Sequence, residues 1–108
     1  MGFLSGLTNL FSAPWSVTCQ LTGQLGGTTY NESKTSSITS VNSASMHFAS
    51  MESTPVIKLN YSGSSQVHQL GLHWDDQWKT SERNVDTVTM TRDFDNGVLT
   101  IDCLLDKS

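Results

Sequence analysis

Two tryptophans and two aspartates occur within five residues, as Trp74, Asp75, Asp76 and Trp78. Tryptophan is enriched among the residues that contribute most to protein–protein binding, because an indole ring provides a large contact area. Indole rings beside carboxylates also suit sugars, which present an apolar ring face and a rim of hydroxyl groups. We predict that this cluster is a binding site. In the alternative, Trp74 belongs to the core, Trp78 covers the edge of a hairpin and both aspartates are solvated.

Arg92 is the one charged residue on a predicted strand face that otherwise carries Val88, Met90 and Phe94. A guanidinium removed from water needs a carboxylate or several carbonyl oxygens as partners. We predict that Arg92 points into a binding pocket and assign it to the same site as the Trp/Asp cluster. The alternative is that it lies near an open end of the fold and extends its charged head into water.

Catalytic and metal-binding signatures are missing from the sequence. It contains no P-loop, no GxSxG, no HExxH and no glycine-rich nucleotide fingerprint. The histidines are His47, His68 and His73, and the last two are five residues apart. On one strand these two would point to opposite faces, which places them poorly for a shared metal ion. We therefore expect a protein that is not an enzyme and needs no metal or cofactor.

The two cysteines, Cys19 and Cys103, each fall on the apolar face of a predicted strand. A free cysteine packs like a small hydrophobic residue, and cytosolic thiols stay reduced. We expect two reduced core cysteines. The alternative is a disulfide across 84 residues of chain (103 − 19), which by the chain-entropy model would add roughly 4 to 5 kcal/mol of stability.

Composition and charge limit the partners. The net charge of −4 argues against a nucleic-acid surface and against attraction to anionic lipid, both of which require clustered lysine and arginine. No apolar run approaches the roughly 20 residues of a membrane-spanning helix.

Only 15% of the residues are charged, whereas 16 are serine and 13 are threonine. Strands with hydroxylated outer faces have weak protection against edge-to-edge pairing, so a homo-oligomer through strand edges is expected.

The N-terminal residues 1–13 are predicted to form a short helix. Their apolar residues recur at helical spacing, and Pro14 ends any helix before it; these residues are Phe3, Leu4, Leu7, Leu10 and Phe11. No basic residue precedes this apolar stretch, whereas a secretory signal begins with one. We therefore expect a mature protein located in the cytoplasm.

Residues 85–105 predict a β-hairpin around which the rest of the chain is arranged. Asn96-Gly97 is a strong signal for a two-residue type I′ turn, in which both residues need positive φ. With that loop, Met90 would face Cys103 and Arg92 would face Ile101. Alternation gives one apolar face and one face rich in threonine and aspartate, which is typical of a strand pair buried on one side.

Alternating patterns predict further strands at 15–22, 43–49, 56–61 and 66–74. Residues 28–42 are too polar to assign, although a structureless loop of this length is uncommon and at least part of it should pair. About seven strands with short turns indicate one all-β domain over 1–108, an antiparallel β-sandwich or flattened small barrel with one short N-terminal helix.

The small size, the acidic balance and the Trp/Asp cluster favour a non-enzymatic protein-binding module of the immunity-protein, inhibitor or assembly type. Its partner would be another protein, and the negative charge favours a basic one. The alternative function is carbohydrate binding by a lectin-like domain that uses the same Trp/Asp cluster.

Overall fold

The computed structural model describes residues 15–107, so the helix predicted over 1–13 lies outside the described residues. Within that range the chain forms only strands and their connections. Eight strands are described: β1 (Trp15–Leu25), β2 (Thr28–Ile38), β3 (Ala44–Ser45), β4 (Val56–Ser62), β5 (Val67–Trp74), β6 (Gln77–Thr80), β7 (Thr87–Phe94) and β8 (Gly97–Asp106). No helix within 15–107 is long and apolar enough to cross a membrane.

The strands form two four-stranded sheets, with the orders β2-β1-β8-β7 and β3-β4-β5-β6. All pairings are antiparallel. The predicted all-β antiparallel architecture is confirmed. Contacts of β2 with β3 and of β6 with β7 place the second sheet over the first in the same lateral order. We refer to the two sheets as the β1 sheet and the β5 sheet.

The core lies between the two sheets because alternate residues of β1, β4, β5, β7 and β8 are apolar and buried. On β1 these are Val17, Cys19 and Leu21, and on β5 they are Leu70, Leu72 and Trp74. The buried apolar residues form one continuous cluster. Strands β1 and β8 lie at the centre of their sheet, and residues 16–25 of β1 and 97–104 of β8 have strand partners on both sides.

The C-terminal hairpin forms as predicted, but its turn lies one residue earlier. Phe94 pairs with Gly97, so the two turn residues are Asp95 and Asn96, and neither of them has positive φ. Met90 therefore faces Ile101 instead of Cys103. The pairing is displaced by two residues, an even number, and the predicted apolar and polar faces are unchanged. The predicted Asn96-Gly97 turn was wrong because Gly97 instead permits a close contact between β8 and the backbone of β1.

The left-handed two-residue turn occurs instead between β1 and β2. Gly26 and Gly27 have φ of +55° and +86°, and Leu25 pairs with Thr28 across them. Positive φ at both central residues is the geometry of a type I′ turn, which matches the twist of the flanking strands. This turn starts β2, so 11 residues of the stretch that the sequence left unassigned form an edge strand.

Cys19 and Cys103 form a disulfide, which corrects the expectation of two reduced cysteines. They lie directly opposite each other on the neighbouring strands β1 and β8 and point into the core, with Cα atoms 4.0 Å apart. Each cysteine was assigned to the correct face. What the sequence could not indicate was that the first and last described strands are neighbours, in register at these two positions.

Candidate functional site

The predicted site residues lie around the turn that joins β5 and β6. Asp75 and Asp76 are its two turn residues, and Asp75 has a φ of +56°, which aspartate tolerates better than most side chains. The turn pairs Trp74 with Gln77 and His73 with Trp78. Because facing residues of antiparallel strands point to the same side, the turn sends Trp74 inward and Trp78 outward.

Trp74 lies in the core with none of its surface exposed. Its ring packs at a centroid distance of 6.4 Å from that of Phe94, on the facing β1 sheet. The guanidinium carbon of Arg92 lies 5.2 Å from the centroid of the Trp74 ring. The Trp74 ring thus packs against the guanidinium of Arg92 from the core side. Its indole is buried and offers no surface to a partner.

Arg92 extends from the apolar face of β7 across to the β5–β6 turn. Its Nη1 donates to Asp75 Oδ2 at 2.6 Å, and its Nη2 lies 3.8 Å from Asp76 Oδ1. Only 15% of the Arg92 side chain is exposed. The carboxylate partner that a largely buried guanidinium requires is therefore present, and this ion pair fastens the turn of one sheet to a strand of the other.

Trp78 lies on the solvent face of the β5 sheet with 66% of its surface exposed. Its ring stacks on His73 with a centroid distance of 5.5 Å and an interplanar angle of 15°. The Asp76 side chain, two residues away, is 87% exposed. We call Trp78, His73, Asp75 and Asp76 together the Trp78 patch. It is an aromatic pair on a strand, bordered by an acidic turn.

The end of the sandwich that carries the Trp78 patch is acidic. The C-terminal hairpin contributes Asp93 and Asp95, which follow Arg92 closely and are both exposed. Since Arg92 contacts Asp75, the end of the hairpin lies beside the β5–β6 turn. Two carboxylates, those of Asp75 and Asp76, lie within 4 Å of the guanidinium, and the two aspartates of the hairpin add negative charge that would favour a basic surface.

A second cluster, around His68 on β5, was not predicted. His68 is buried, and its Nε2 donates to Asp86 Oδ1 at 2.6 Å. Lys107 Nζ lies 3.4 Å from the same carboxylate oxygen. Trp15 packs edge-on against both His68 and Tyr61, at centroid distances of 5.7 and 5.2 Å. The cluster ties the end of β8 and the start of β7 to the opposite sheet.

Asp86 has a lowered pKa because of this cluster. Partial burial raises the pKa of Asp86, but hydrogen bonds from His68 and Lys107 and their positive charges lower it more, so it falls below the ordinary 3.8. The ionised carboxylate is thus favoured in the folded state. A depressed folded-state pKa stabilises the protein above the ordinary carboxyl range, and this stabilisation is lost as the pH falls through the folded-state pKa.

We therefore expect Asp86→Asn to lower the stability at neutral pH, because asparagine keeps an acceptor oxygen but carries no charge. The difference between wild type and Asp86→Asn should shrink as the pH falls below about 3.8. The check is the urea midpoint of both proteins at a series of pH values. A difference that stays constant down to the lowest pH would contradict the lowered pKa.

The three histidines lie apart from one another. As the sequence predicted, His68 and His73 point to opposite faces of β5, and His47 bonds Thr54 instead, at 3.2 Å. Among residues 15–107, histidine, cysteine and acidic side chains form no group of three that could hold a metal ion.

The place of His73 in the Trp78 patch and the His68–Asp86 pair were not predicted from the sequence. Alternation along β5 assigned His73 to the polar face, but its contact with Trp78 follows only if Asp75-Asp76 is recognised as a two-residue turn. The His68–Asp86 pair had no sequence signal. It forms because Asn84 N–H donates to the His68 carbonyl and His68 N–H donates to Asn84 Oδ1, which holds the segment after β6 against β5.

Comparison with protein-family models, with characterised proteins and with solved structures finds no match to this chain, so its function has to be inferred from its own residues.

Proposed function

We propose that this protein is a non-enzymatic binding module that engages a second protein through the Trp78 patch, as an inhibitor, an immunity protein or an assembly component does. The observation that supports this most is the exposure of Trp78, at 66% of its surface, on a regular strand. Tryptophan in such a position is the kind of residue that dominates the energy of protein–protein interfaces.

The Trp78 side chain is held before a partner arrives. Stacking on His73 restricts its rotamers, and the backbone of β6 is fixed by pairing with β5. Ordering a mobile side chain at an interface costs about 0.5 to 1.5 kcal/mol, and a pre-ordered side chain avoids most of this cost. A rigid, exposed aromatic side chain on a strand therefore supports a binding role better than the same residue on a loop would.

The charge around the patch favours a basic partner. Asp76 is almost fully exposed and has only a distant contact with Arg92, at 3.8 Å. Asp93 and Asp95 add charge at the same end, and the whole chain has a net charge of −4. Complementary charge mainly accelerates encounter and excludes wrong partners, so binding of this kind should weaken with added salt.

Carbohydrate binding has less support. The sugar hypothesis relied on two indole rings, but the Trp74 ring is buried and only Trp78 is exposed. The remaining platform is one indole stacked on one imidazole. Quenching of Trp78 fluorescence by a simple sugar, abolished in Trp78→Ala, would favour the carbohydrate alternative.

The cysteines bear on the compartment in which the protein acts. The cytoplasmic location expected from the sequence stays a prediction, and the Cys19–Cys103 disulfide argues against it, because cytosolic thiols are kept reduced. We infer that binding takes place in an oxidising compartment.

Trp78→Ala is expected to abolish capture of the partner and leave the melting temperature nearly unchanged, since this side chain adds little to the core. The measurement is affinity capture from an extract of the native source with three matched baits: wild type, Trp78→Ala and Leu104→Ala. Leu104 is the control because it is also a large exposed apolar residue, at 55%, but lies on the outer face of the other sheet.

One protein retained in stoichiometric amount by wild type and Leu104→Ala, and lost by Trp78→Ala, would support the proposal. Equal capture by all three baits would show that the binding surface does not depend on Trp78. A large fall in the melting temperature of Trp78→Ala would reassign this residue to a structural role.

A further inference from the structure

We propose that two copies of this protein associate through strand β2, with the two strands antiparallel and Ser33 opposite Ser33 of the second copy. The two β1 sheets then become one continuous eight-stranded sheet. This inference is independent of the proposed function, since it concerns a different surface and a second copy of the same chain.

Strand β2 is a long, regular, free edge. It has 11 residues, all paired with β1 on one side, and no other strand of the described residues is hydrogen-bonded to its other side. Such an edge presents a row of unpaired backbone N–H and C=O groups that can pair with another strand. Proteins usually protect long edges with proline, a bulge or a charged residue. Strand β2 contains no proline, and its pairing with β1 is continuous, without a bulge.

The charged residues of β2 are Glu32 and Lys34, and their arrangement is self-complementary. They lie two residues apart and face Leu21 and Cys19 of β1, so both side chains point to the same side of the sheet. In antiparallel pairing centred on Ser33, Glu32 lies opposite Lys34 of the second copy, and Lys34 opposite Glu32. Opposite charges across a strand pair stabilise it, whereas a single repeated charge would repel its own copy. Either charge alone would repel a second copy at this edge. The two together favour self-association.

Both side chains are available for this pairing. Ser50 Oγ donates to Glu32 Oε2 at 2.8 Å, which fixes the carboxylate, and among residues 15–107 no hydrogen bond engages Oε1. Lys34 is exposed, and its ammonium group forms no ion pair with another residue of the range 15–107. A fixed carboxylate and an uncommitted ammonium are the two halves of an intermolecular ion pair.

The opposite face of β2 also matches itself in this register. Asn31 would face Thr35 of the second copy, and Thr29 would face Ser37. Similar polar side chains already bond across the β1–β2 pair, as Thr18 does with Thr35 at 2.7 Å and Gln20 with Asn31 at 3.1 Å. The hydroxyl-rich face of the β1 sheet would therefore continue across the junction, with polar side chains opposite polar side chains.

The other described edges lack these properties. Strand β3 has two residues and β6 has four. On β7, Arg92 and Asp93 are adjacent and so point to opposite faces, which prevents them from pairing with each other across a symmetric junction. Since β6 lies beside β7 and β2 lies beside β3, dimerisation through β2 leaves the Trp78 patch of each copy accessible on the far side.

The test is the molar mass of the purified protein by sedimentation velocity over a range of concentrations. We expect a dimer for wild type, and a dimer dissociation constant at least about tenfold higher for Lys34→Glu, which sets Glu opposite Glu twice. Glu32→Lys sets Lys opposite Lys and should do the same. A mixture of the two single variants should form a heterodimer, because Lys at 32 and 34 then faces Glu at 34 and 32. The double variant that exchanges the two charges should dimerise like wild type.

A wild type that stays monomeric at every concentration, or a Lys34→Glu variant that dimerises as tightly as wild type, would overturn the proposal. Glu32→Lys also removes the bond to Ser50, so its fold must be checked by circular dichroism. If that variant does not fold, Lys34→Glu still decides the question, since Lys34 is exposed and its replacement breaks no ion pair among residues 15–107.

Discussion

Replacing Cys19 and Cys103 together by alanine is expected to lower the free energy of unfolding by roughly 4 to 5 kcal/mol. The disulfide spans 84 residues, which is most of the chain. By the chain-entropy model, a cross-link over so long a loop removes much of the freedom of the unfolded state, and alanine restores that freedom. A domain of this size typically has a total stability of only about 5 to 15 kcal/mol, so the double variant should be marginally folded.

Equilibrium unfolding in urea, without reductant, measures this effect. A strong reductant should move the wild-type midpoint toward that of the double variant and leave the variant itself unaffected, which separates loss of the cross-link from loss of side-chain volume. Two titratable thiols in denatured wild type prepared without reductant would contradict the disulfide, and so would equal midpoints for the two proteins.

Gly97→Ala is expected to destabilise the protein by about 3 kcal/mol or more. A Cβ atom at this position would lie 1.9 Å from the backbone oxygen of Gln24 and 2.9 Å from its carbonyl carbon. Both are main-chain atoms of the neighbouring strand β1, so no side-chain rotation can relieve the clash, and β1 and β8 would have to separate. These strands carry the disulfide and lie at the centre of the sheet, which makes the position costly to disturb.

Gly27→Ala is the matched control, because this glycine has a φ of +86° and a Cβ atom added to it would meet nothing within 4 Å. Its replacement costs only the left-handed backbone conformation, about 1 to 2 kcal/mol. The difference between the two variants in urea unfolding isolates the steric contribution at Gly97. Equal destabilisation would show that β1 and β8 are not in such close contact.

The alternation of apolar and polar residues predicted much of this fold, because within a strand it indicates which face is buried. The faces of β7 and β8 were assigned correctly although the turn between them was displaced, since an even displacement leaves inward and outward residues unchanged. The displaced turn has a specific reason: Gly97 satisfies a close approach to Gln24, a contact between strands far apart in the sequence. A glycine that is required by a contact between distant strands therefore looked, in the sequence, like the glycine of a local turn.

Local sequence patterns could not predict which distant strands pair with each other. Nothing near Cys19 or Cys103 indicates that β1 and β8 are neighbours, and the expected cysteine state was wrong for that reason. Strand β2 was left unassigned because it is polar on both faces. It is ordered by pairing with β1 along its whole length, which a period-two hydrophobic pattern cannot reveal.

The structure brings some of the predicted site residues together and separates others. Asp75, Asp76 and Arg92 do come together, because a charged residue on an apolar face needed a carboxylate and the turn supplies one. Trp74 and Trp78 were grouped by their proximity in sequence, but a two-residue turn places them on opposite faces of the sheet. The exposed aromatic pair is therefore Trp78 with His73, and this depends on the register of β5 and β6.

The most direct test of the binding proposal is a calorimetric titration of the captured partner, purified, against wild type, Trp78→Ala and Leu104→Ala. Loss of a central interface tryptophan typically costs about 2 kcal/mol or more, so the dissociation constant for Trp78→Ala should rise about thirtyfold while that for Leu104→Ala stays at the wild-type value. Equal dissociation constants for the three proteins would contradict the assignment of the Trp78 patch as the binding surface.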